Sequence, residues 1–177
     1  MITKNIGGFM IKLIVLDVDG TLTDGKLYID NFGNEMKSFD VKDGLAISQA
    51  IKQGLKIAII TGKTSNIVEK RSKELGIKDV IQGSRNKVND LKTILKKYNI
   101  SFEETAYMGD DLVDLKVMKH CGLSGCPKDS VNEIINISDF ISTKNGGNGA
   151  VREFLEYLLK KENLWNNIID NFSSTEQ

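Results

Sequence analysis

Acidic residues occur in two short segments of the sequence, and each segment directly follows an apolar run. The first segment is Asp17-Val18-Asp19-Gly20-Thr21, and the second is Gly109-Asp110-Asp111 with Asp114 three residues later. Carboxylates that converge repel one another unless a cation joins them, and an all-oxygen ligand set suits Mg²⁺. The residues that suit an anion opposite them, a hydroxyl, a glycine amide and a lysine, are Thr61, Gly62 and Lys87. A cation beside an anion cradle is what phosphoryl transfer requires, because positioning and charge neutralisation supply most of its catalysis.

The periodicity of the apolar residues predicts the scaffold that positions these groups. Continuous apolar runs, typical of strands buried on both faces of a parallel sheet, occur at 12–18, 56–61, 79–82 and 105–108. Helical segments separate them, from about Gly44, over 65–75, over 86–98 and on to about Glu162. Asp43 is the expected cap of the first helix. The expected fold class is α/β, a three-layer Rossmann-like fold with a mainly parallel sheet and helices on both faces, whose ligands bind at the carboxyl ends of the strands.

Residues 26–41 interrupt this alternation. Alternating patterns on both sides of the turn Asn31-Phe32-Gly33-Asn34 predict a protruding β-hairpin. No interval between the candidate residues is long enough for a separate cap domain. We therefore expect a single domain over 1–177, with a core at about 11–163 and a tail at about 164–177 that packs on the domain or across a subunit interface.

Composition excludes several classes of protein. The 24 basic and 24 acidic residues cancel, so the chain shows no electrostatic footprint for nucleic acid or an anionic membrane. No long apolar run or signal peptide is visible in the 177 residues, which predicts a cytoplasmic protein. Cys121 and Cys126 are too few for a disulfide framework, and His120 beside them leaves a zinc site short of a ligand. We expect free thiols and a histidine at a helix end.

In this order and these strand contexts, the candidate residues resemble the four motifs of the haloacid dehalogenase-like phosphatases. The resemblance implies that Asp17 is a nucleophile that becomes an aspartyl-phosphate. It implies that Asp19 is the acid that protonates the leaving oxygen and later activates water. Thr61 and Lys87 would hold the phosphoryl oxygens.

The same resemblance implies a Mg²⁺ site. A carboxylate oxygen of Asp17, the backbone carbonyl of Asp19 and Asp110 would ligate the ion, with Asp111 and Asp114 as a further ligand or support. Asp110, Asp111 and Asp114 could instead cap the next helix, and we keep that interpretation for one of them.

One branch of the superfamily is especially similar, the capless 3-deoxy-D-manno-octulosonate 8-phosphate phosphatases, which are homotetramers. The segments that carry this likeness are 17–25, 39–44, 71–77 and 146–153. The resemblance implies a phosphorylated sugar acid as substrate and a product that feeds lipopolysaccharide synthesis in a Gram-negative bacterium. A capless site stays open to water unless a partner chain covers it, so the hairpin is expected to make oligomer contacts. A hairpin folded on its own domain is the alternative.

Substrate contacts are harder to assign from the sequence. Lys63 stands after Thr61-Gly62 where the branch commonly has arginine, and Val113 stands where proline is common. Lys63 and Arg71 are candidates for the substrate carboxylate or phosphate, or are solvated on a helix. Asp43 is a candidate for a sugar hydroxyl.

Three rival functions stay open at this point. A nonulosonate 9-phosphate of the sialic-acid type could be the substrate of the same chemistry. A non-catalytic phosphate-binding regulatory subunit could retain the fold, and a receiver-like domain also gathers carboxylates and a lysine at strand ends. The intact set of acids, threonine and lysine argues against the regulatory subunit, and a receiver-like domain leaves the segment Asp19-Gly-Thr-Leu-Thr without an explanation.

Overall fold

A parallel sheet forms the centre of the computed structural model, which describes residues 10–174. In chain order the strands are β1 (Leu13–Leu16), β2 (Tyr28–Ile29), β3 (Glu35–Met36), β4 (Lys56–Ile60), β5 (Asp79–Ile81), β6 (Thr105–Met108), β7 (Leu123–Cys126) and β8 (Phe140–Ile141). Six of them pair in the order β5-β4-β1-β6-β7-β8, and every pair is parallel. The expected α/β class with a mainly parallel sheet is confirmed.

Helices cover both faces of this sheet. They are α1 (Val41–Lys52), α2 (Asn66–Leu75), α3 (Lys87–Tyr98), α4 (Leu112–Met118), α5 (Asn132–Ile135), α6 (Ala150–Lys161) and α7 (Trp165–Ser174). The alternation of β1 divides the core into two layers. Ile14 and Leu16 pack in the layer that holds α1 and α6, whereas Leu13 and Val15 pack in the layer that holds α3 and α4. All four β1 side chains are fully buried, as the continuous apolar run predicts.

The predicted hairpin is present. Strands β2 and β3 pair antiparallel, and Asp30 closes the turn by accepting hydrogen bonds from the backbone N–H groups of Phe32 and Asn34, both at 2.8 Å. All four residues of these two short strands are exposed. The hairpin therefore projects from the sheet instead of joining it.

The predicted cap of the first helix is wrong. Helix α1 begins at Val41, and its cap is Asp40, which accepts from the N–H of Lys42. Asp43 lies inside α1 and instead accepts a hydrogen bond of 2.6 Å from the N–H of Arg152, in the first turn of α6. Gly149, which precedes α6, has no side chain that could cap this helix. The carboxylate of Asp43 on α1 accepts instead from a free N–H group in the first turn of α6.

The tail packs on its own domain through one face. Ile168 of α7 is buried and belongs to the α1 and α6 layer of the core, and the Trp165 ring lies 4.8 Å from the Arg152 guanidinium. Phe172, on the same helix, is exposed. Residues 175–177 of the predicted tail lie outside the described part of the chain.

Smaller expectations are also met. Cys121 and Cys126 are free and buried, and His120 lies just after α4, with Nδ1 2.7 Å from the carbonyl oxygen of Lys116. Within residues 10–174, no helix has the length and apolar character needed to cross a membrane.

Replacement of Phe154 by alanine tests the packing between α6 and the sheet. Phe154 is fully buried, and a Cβ at Gly125 of β7 would lie only 2.5 Å from its ring, so ring and strand are in close contact. We expect Phe154→Ala to lower the free energy of unfolding by about 3–5 kcal/mol, measured by urea denaturation. Phe172→Ala, at an exposed site, should change it by less than about 0.5 kcal/mol. Equal losses in the two variants would contradict this packing.

Candidate active site

The candidate residues meet where three neighbouring strands end. Asp17 directly follows β1, Thr61 directly follows β4, and Asp110 lies two residues after β6. Because β1 pairs with both β4 and β6 in parallel, their carboxyl ends are adjacent. The N–H of Asp17 donates to the carbonyl oxygen of Met108 at 3.0 Å, so the pairing of β1 with β6 extends to the first acid.

Lys87 forms the centre of the site. It is the first residue of α3, its side chain is 5% exposed, and its Nζ lies 2.8 Å from Oδ1 of Asp17 and 2.7 Å from Oδ1 of Asp114. Although burial favours the neutral amine, the charges of the two carboxylates raise the pKa of Lys87. One buried ammonium therefore joins an acid after β1 to an acid on α4.

The carboxylates exceed the positive charge available to them. Asp17, Asp110 and Asp114 each offer an oxygen, and these oxygens lie within 4.8 Å of one another. Burial, followed by the charge of Asp114, raises the pKa of Asp17 to about 6 although Lys87 opposes the shift. Burial, followed by the charge of Asp17, raises the pKa of Asp110 to about 7. A divalent cation would stabilise the ionised carboxylates of a site with raised pKa values, so the cluster fits such an ion.

The local backbone also fits a metal. A Cβ at Gly20 would lie 2.0 Å from Oδ2 of Asp110, so only glycine lets the loop after β1 approach that acid this closely. The hydroxyl of Thr21 donates to Oδ1 of Asp110 at 3.1 Å and fixes its orientation. Carboxylate oxygens are the hard donors that Mg²⁺ prefers, and the backbone carbonyl of Asp19 as a further ligand stays a prediction.

Two hydrogen bonds orient Asp114, the third acid of the cluster. The hydroxyl of Tyr107, fully buried in β6, donates to Oδ1 of Asp114 at 2.8 Å, and the N–H of Asp110 donates to Oδ2 at 3.3 Å. The sequence reasoning missed Tyr107. Its signal was a tyrosine in a buried strand, because a buried hydroxyl needs a hydrogen-bond partner.

Asp111 serves the helix that follows. Its side chain is exposed and accepts from the N–H of Leu112 at 2.7 Å, which makes it the cap of α4. This is the capping interpretation kept for one of the three acids. A supporting role for Asp111 at a metal stays a prediction.

Asp19 lies apart from the carboxylate cluster and has a partner of its own. Its side chain is 26% exposed, and Oδ1 forms an ion pair with the Nζ of Lys37, whose side chain is 4% exposed. Lys37 directly follows β3 and comes from the hairpin. The sequence reasoning missed this residue, since a lysine in an alternating hairpin is normally solvated.

A cleft of about 350 Å³ opens beside Lys87. Its lining includes Gly62 and two further cationic side chains, Arg85 and Lys116, so it is suited to an anionic molecule. Thr61 is buried at the adjacent strand end, and its carbonyl oxygen accepts from the N–H of Ser84 at 3.0 Å. Gly62 and Lys87 thus line one cleft, and Thr61 lies next to Gly62 at the end of β4.

The other predicted substrate contacts are placed differently. Lys63 is exposed next to Gly62. The guanidinium of Arg71 lies 5.9 Å from the ring centroid of Phe39, and its Nη1 lies 3.4 Å from Oε2 of Glu74. Asp43 is 1% exposed and occupied by the first turn of α6. In this conformation the carboxylate of Asp43 serves the helix and not a surface cleft.

Comparison with known proteins gives consistent results. A family profile described as haloacid dehalogenase-like hydrolase matches residues 76–155. The chain is 43% identical to the 3-deoxy-D-manno-octulosonate 8-phosphate phosphatase KdsC of Escherichia coli strain K12 over 149 residues, 84% of this chain and 79% of the relative. It is 37% identical to the KdsC of Haemophilus influenzae over 152 residues, 86% of this chain and 84% of that relative.

A solved structure is similar throughout. The 3-deoxy-D-manno-octulosonate 8-phosphate phosphatase of Moraxella catarrhalis, crystallised with a magnesium ion, a phosphate ion and a KDO molecule, superposes with a TM-score of 0.89. The sequences are 42% identical, and the alignment covers 92% of this chain and 93% of the other. A cobalt-bound phosphatase from Haemophilus influenzae has a TM-score of 0.84 at 36% identity, with 88% of this chain and 91% of the other covered.

Mg²⁺ should stabilise the protein more at pH 8 than at pH 5. The native pKa values of Asp17 and Asp110, about 6 and about 7, lie above the unfolded value, so the metal-free native state holds protons that the unfolded state releases. Between about pH 4 and pH 7 these groups therefore destabilise the metal-free protein as pH rises. Mg²⁺ requires the ionised carboxylates, and at about 100 times its Kd it adds about 2.7 kcal/mol.

Thermal unfolding with EDTA and with Mg²⁺ at both pH values measures this difference. Asp110→Asn should remove most of the Mg²⁺ increment at pH 8, whereas the control Asp170→Asn, which removes an exposed carboxylate on α7, should keep it. An increment of the same size at both pH values would refute the assignment of the cluster as the metal site.

Proposed function

The chain belongs to the haloacid dehalogenase-like hydrolases, in the family of 3-deoxy-D-manno-octulosonate 8-phosphate phosphatases, and we propose that it hydrolyses this phosphorylated sugar acid to the free acid and phosphate. It is a phosphoric monoester hydrolase that uses Mg²⁺. One observation carries the proposal for this chain. The buried ammonium of Lys87 contacts an acid after the central strand and lies among carboxylates that fit a divalent cation.

Asp17 is the nucleophile of the proposed reaction. Lys87 binds Oδ1 and leaves the other carboxylate oxygen to attack phosphorus. As that bond forms, the bond from phosphorus to the sugar oxygen breaks, and the sugar oxygen takes a proton from Asp19. Water then attacks the phosphorus of the aspartyl-phosphate and gives its proton to Asp19. Phosphate leaves, and the Asp17 carboxylate is restored.

The cationic groups act on the phosphoryl oxygens. Lys87 and the hydroxyl of Thr61 hold these oxygens in line with the nucleophile, so most of the barrier reduction comes from positioning. Mg²⁺ would be held by Asp17, the backbone carbonyl of Asp19 and Asp110, with Asp114 behind, and when bound it neutralises charge on the phosphoryl group.

The basic cleft beside Lys87 supports the choice of a sugar acid. Gly62 lies in its wall, and Lys63, the next residue, is exposed, which supports Lys63 as the group that binds the substrate carboxylate. Arg71 stays a candidate for the same carboxylate through a rotation away from Glu74. A nonulosonate 9-phosphate offers the same two charged groups on a longer chain.

We propose that the working protein is a cytoplasmic homotetramer whose product feeds lipopolysaccharide synthesis. The support for assembly is the apolar surface of the hairpin, where Leu27, Ile29, Phe32 and Met36 are 58–91% exposed. Monomeric proteins rarely present contiguous apolar surface of this kind without a partner. Two buried free thiols fit a reducing compartment.

A comparison of kcat/KM for two substrates tests the function. We expect octulosonate 8-phosphate to be preferred over nonulosonate 9-phosphates by about 10-fold or more, because the cleft must match the distance between phosphate and carboxylate. Asp17→Asn should lower kcat by about 10³-fold or more on either substrate. Turnover near the wild-type rate in that variant would exclude the covalent mechanism. A preference for the nonulosonate would show that the substrate is a nonulosonate 9-phosphate and not octulosonate 8-phosphate.

Sedimentation measures the proposed assembly. We expect the wild-type protein to sediment as a tetramer and Phe32→Asp to sediment as smaller species, because an aspartate would be buried unpaired at the contact. Ile141→Asp changes an exposed apolar residue of the edge strand β8, outside the hairpin, and should leave the tetramer intact. A wild-type monomer that keeps its substrate selectivity would show that no neighbour is needed to close the site.

A further inference from the structure

Two lysine side chains are withdrawn from solvent among the ion pairs of residues 10–174, and both reach acids that follow β1. Lys87 is 5% exposed and contacts Asp17, whereas Lys37 is 4% exposed and contacts Oδ1 of Asp19. The other lysines in these ion pairs keep 46–75% of their side chains exposed. Each of the two acids of the proposed reaction therefore has its own buried ammonium.

The burial of Lys37 is informative because it is unfavourable in isolation. Ordering a lysine side chain costs rotamer entropy that an exposed ion pair does not repay. A hairpin lysine therefore normally stays in water. Removal of an ammonium from water is tolerated when a carboxylate meets it, and here that carboxylate is Asp19.

The packing of the chain on either side of Lys37 directs its side chain toward Asp19. The strands β2 and β3 are exposed, whereas Phe39, two residues after Lys37, packs against the α1 and α6 layer of the core. The hairpin thus returns to the domain at Lys37, and Phe39 anchors its base. The ammonium is held at the acid by packing of the base and not by the exposed tip.

We propose that Lys37 is a positioning residue that fixes the carboxyl group of Asp19 for proton transfer to the leaving sugar oxygen, a role that rests on the proposed function. Asp19 is separate from the cluster of Asp17, Asp110 and Asp114. By binding Oδ1, Lys37 fixes the orientation of the Asp19 carboxyl group and leaves its other oxygen to exchange the proton. The hairpin thereby serves the site of its own chain in addition to any contact with a neighbour.

A role through Asp19 predicts a dependence on the leaving group. An alkoxide leaves a sugar phosphate only with a proton from Asp19, whereas p-nitrophenolate is stable as an anion and leaves p-nitrophenyl phosphate without one. General acid catalysis contributes about 10²–10⁴-fold where it is needed. Loss of positioning should therefore affect the two substrates unequally, whereas loss of a direct phosphate contact should affect them alike.

The experiment compares kcat/KM of Lys37→Met on octulosonate 8-phosphate and on p-nitrophenyl phosphate, with saturating Mg²⁺. We expect a fall of about 10- to 100-fold on the sugar phosphate and of less than about 3-fold on the aryl phosphate. Lys26→Met, which removes an exposed lysine of the same hairpin, is the matched control and should match the wild type on both substrates.

A double-mutant cycle shows whether Lys37 affects turnover through Asp19 or independently of it. In an Asp19→Asn background, Lys37→Met should cause little further loss on the sugar phosphate, because the group that it positions is already gone. Equal losses on both substrates, or additive losses in the cycle, would overturn the proposal and indicate a direct phosphate contact or a structural role. Lys37→Gln, which keeps a hydrogen-bond donor, gives the same ratio test if Lys37→Met does not fold. A wild-type protein with no sugar phosphate turnover would instead refute the proposed function itself.

Discussion

Repulsion among carboxylates at the ends of β1 and β6 is the constraint on which the rest of the site depends. Three acids place oxygens within 4.8 Å of one another, and one buried ammonium offsets part of their charge. Burial, followed by this remaining imbalance, raises the pKa values of Asp17 and Asp110. A divalent cation relieves this imbalance, and the same excess of negative charge is what gives the site its affinity for one.

The fold holds the acids together against this repulsion through rigid elements and close backbone contacts. Strand β1 is central, with β4 and β6 on either side, so its end cannot move without disturbing two neighbours. Gly146 approaches the carbonyl oxygen of Gly20 so closely that a Cβ there would lie 1.8 Å away. The loop that contains Gly146 leads into α6, whose first turn is held by Asp43. Asp43, a buried acid outside the cluster, therefore holds the start of the helix that follows the loop containing Gly146.

The hairpin combines two kinds of surface. Its tip is apolar and exposed, with Phe32 at 91%, which is typical of a contact with another chain. Its base is anchored by Phe39 and carries the buried ammonium of Lys37 to Asp19. The proposed assembly and the proposed proton transfer thus involve the same short segment, so the two proposals link the order of the hairpin to the reactivity of the site.

The sequence by itself determined the strand runs, the hairpin and the acids, threonine and lysine that converge at the strand ends. These signals are local, since a buried strand and a turn each have their own pattern of residue types. Tertiary structure alone decided the pairing of Lys37 with Asp19, 18 residues away, and of Asp43 with Arg152, 109 residues away. It also decided that Tyr107 of β6 orients Asp114 of α4. The physical reason is that a side chain's partner depends on which elements pack together, and local sequence encodes the element but not its neighbours.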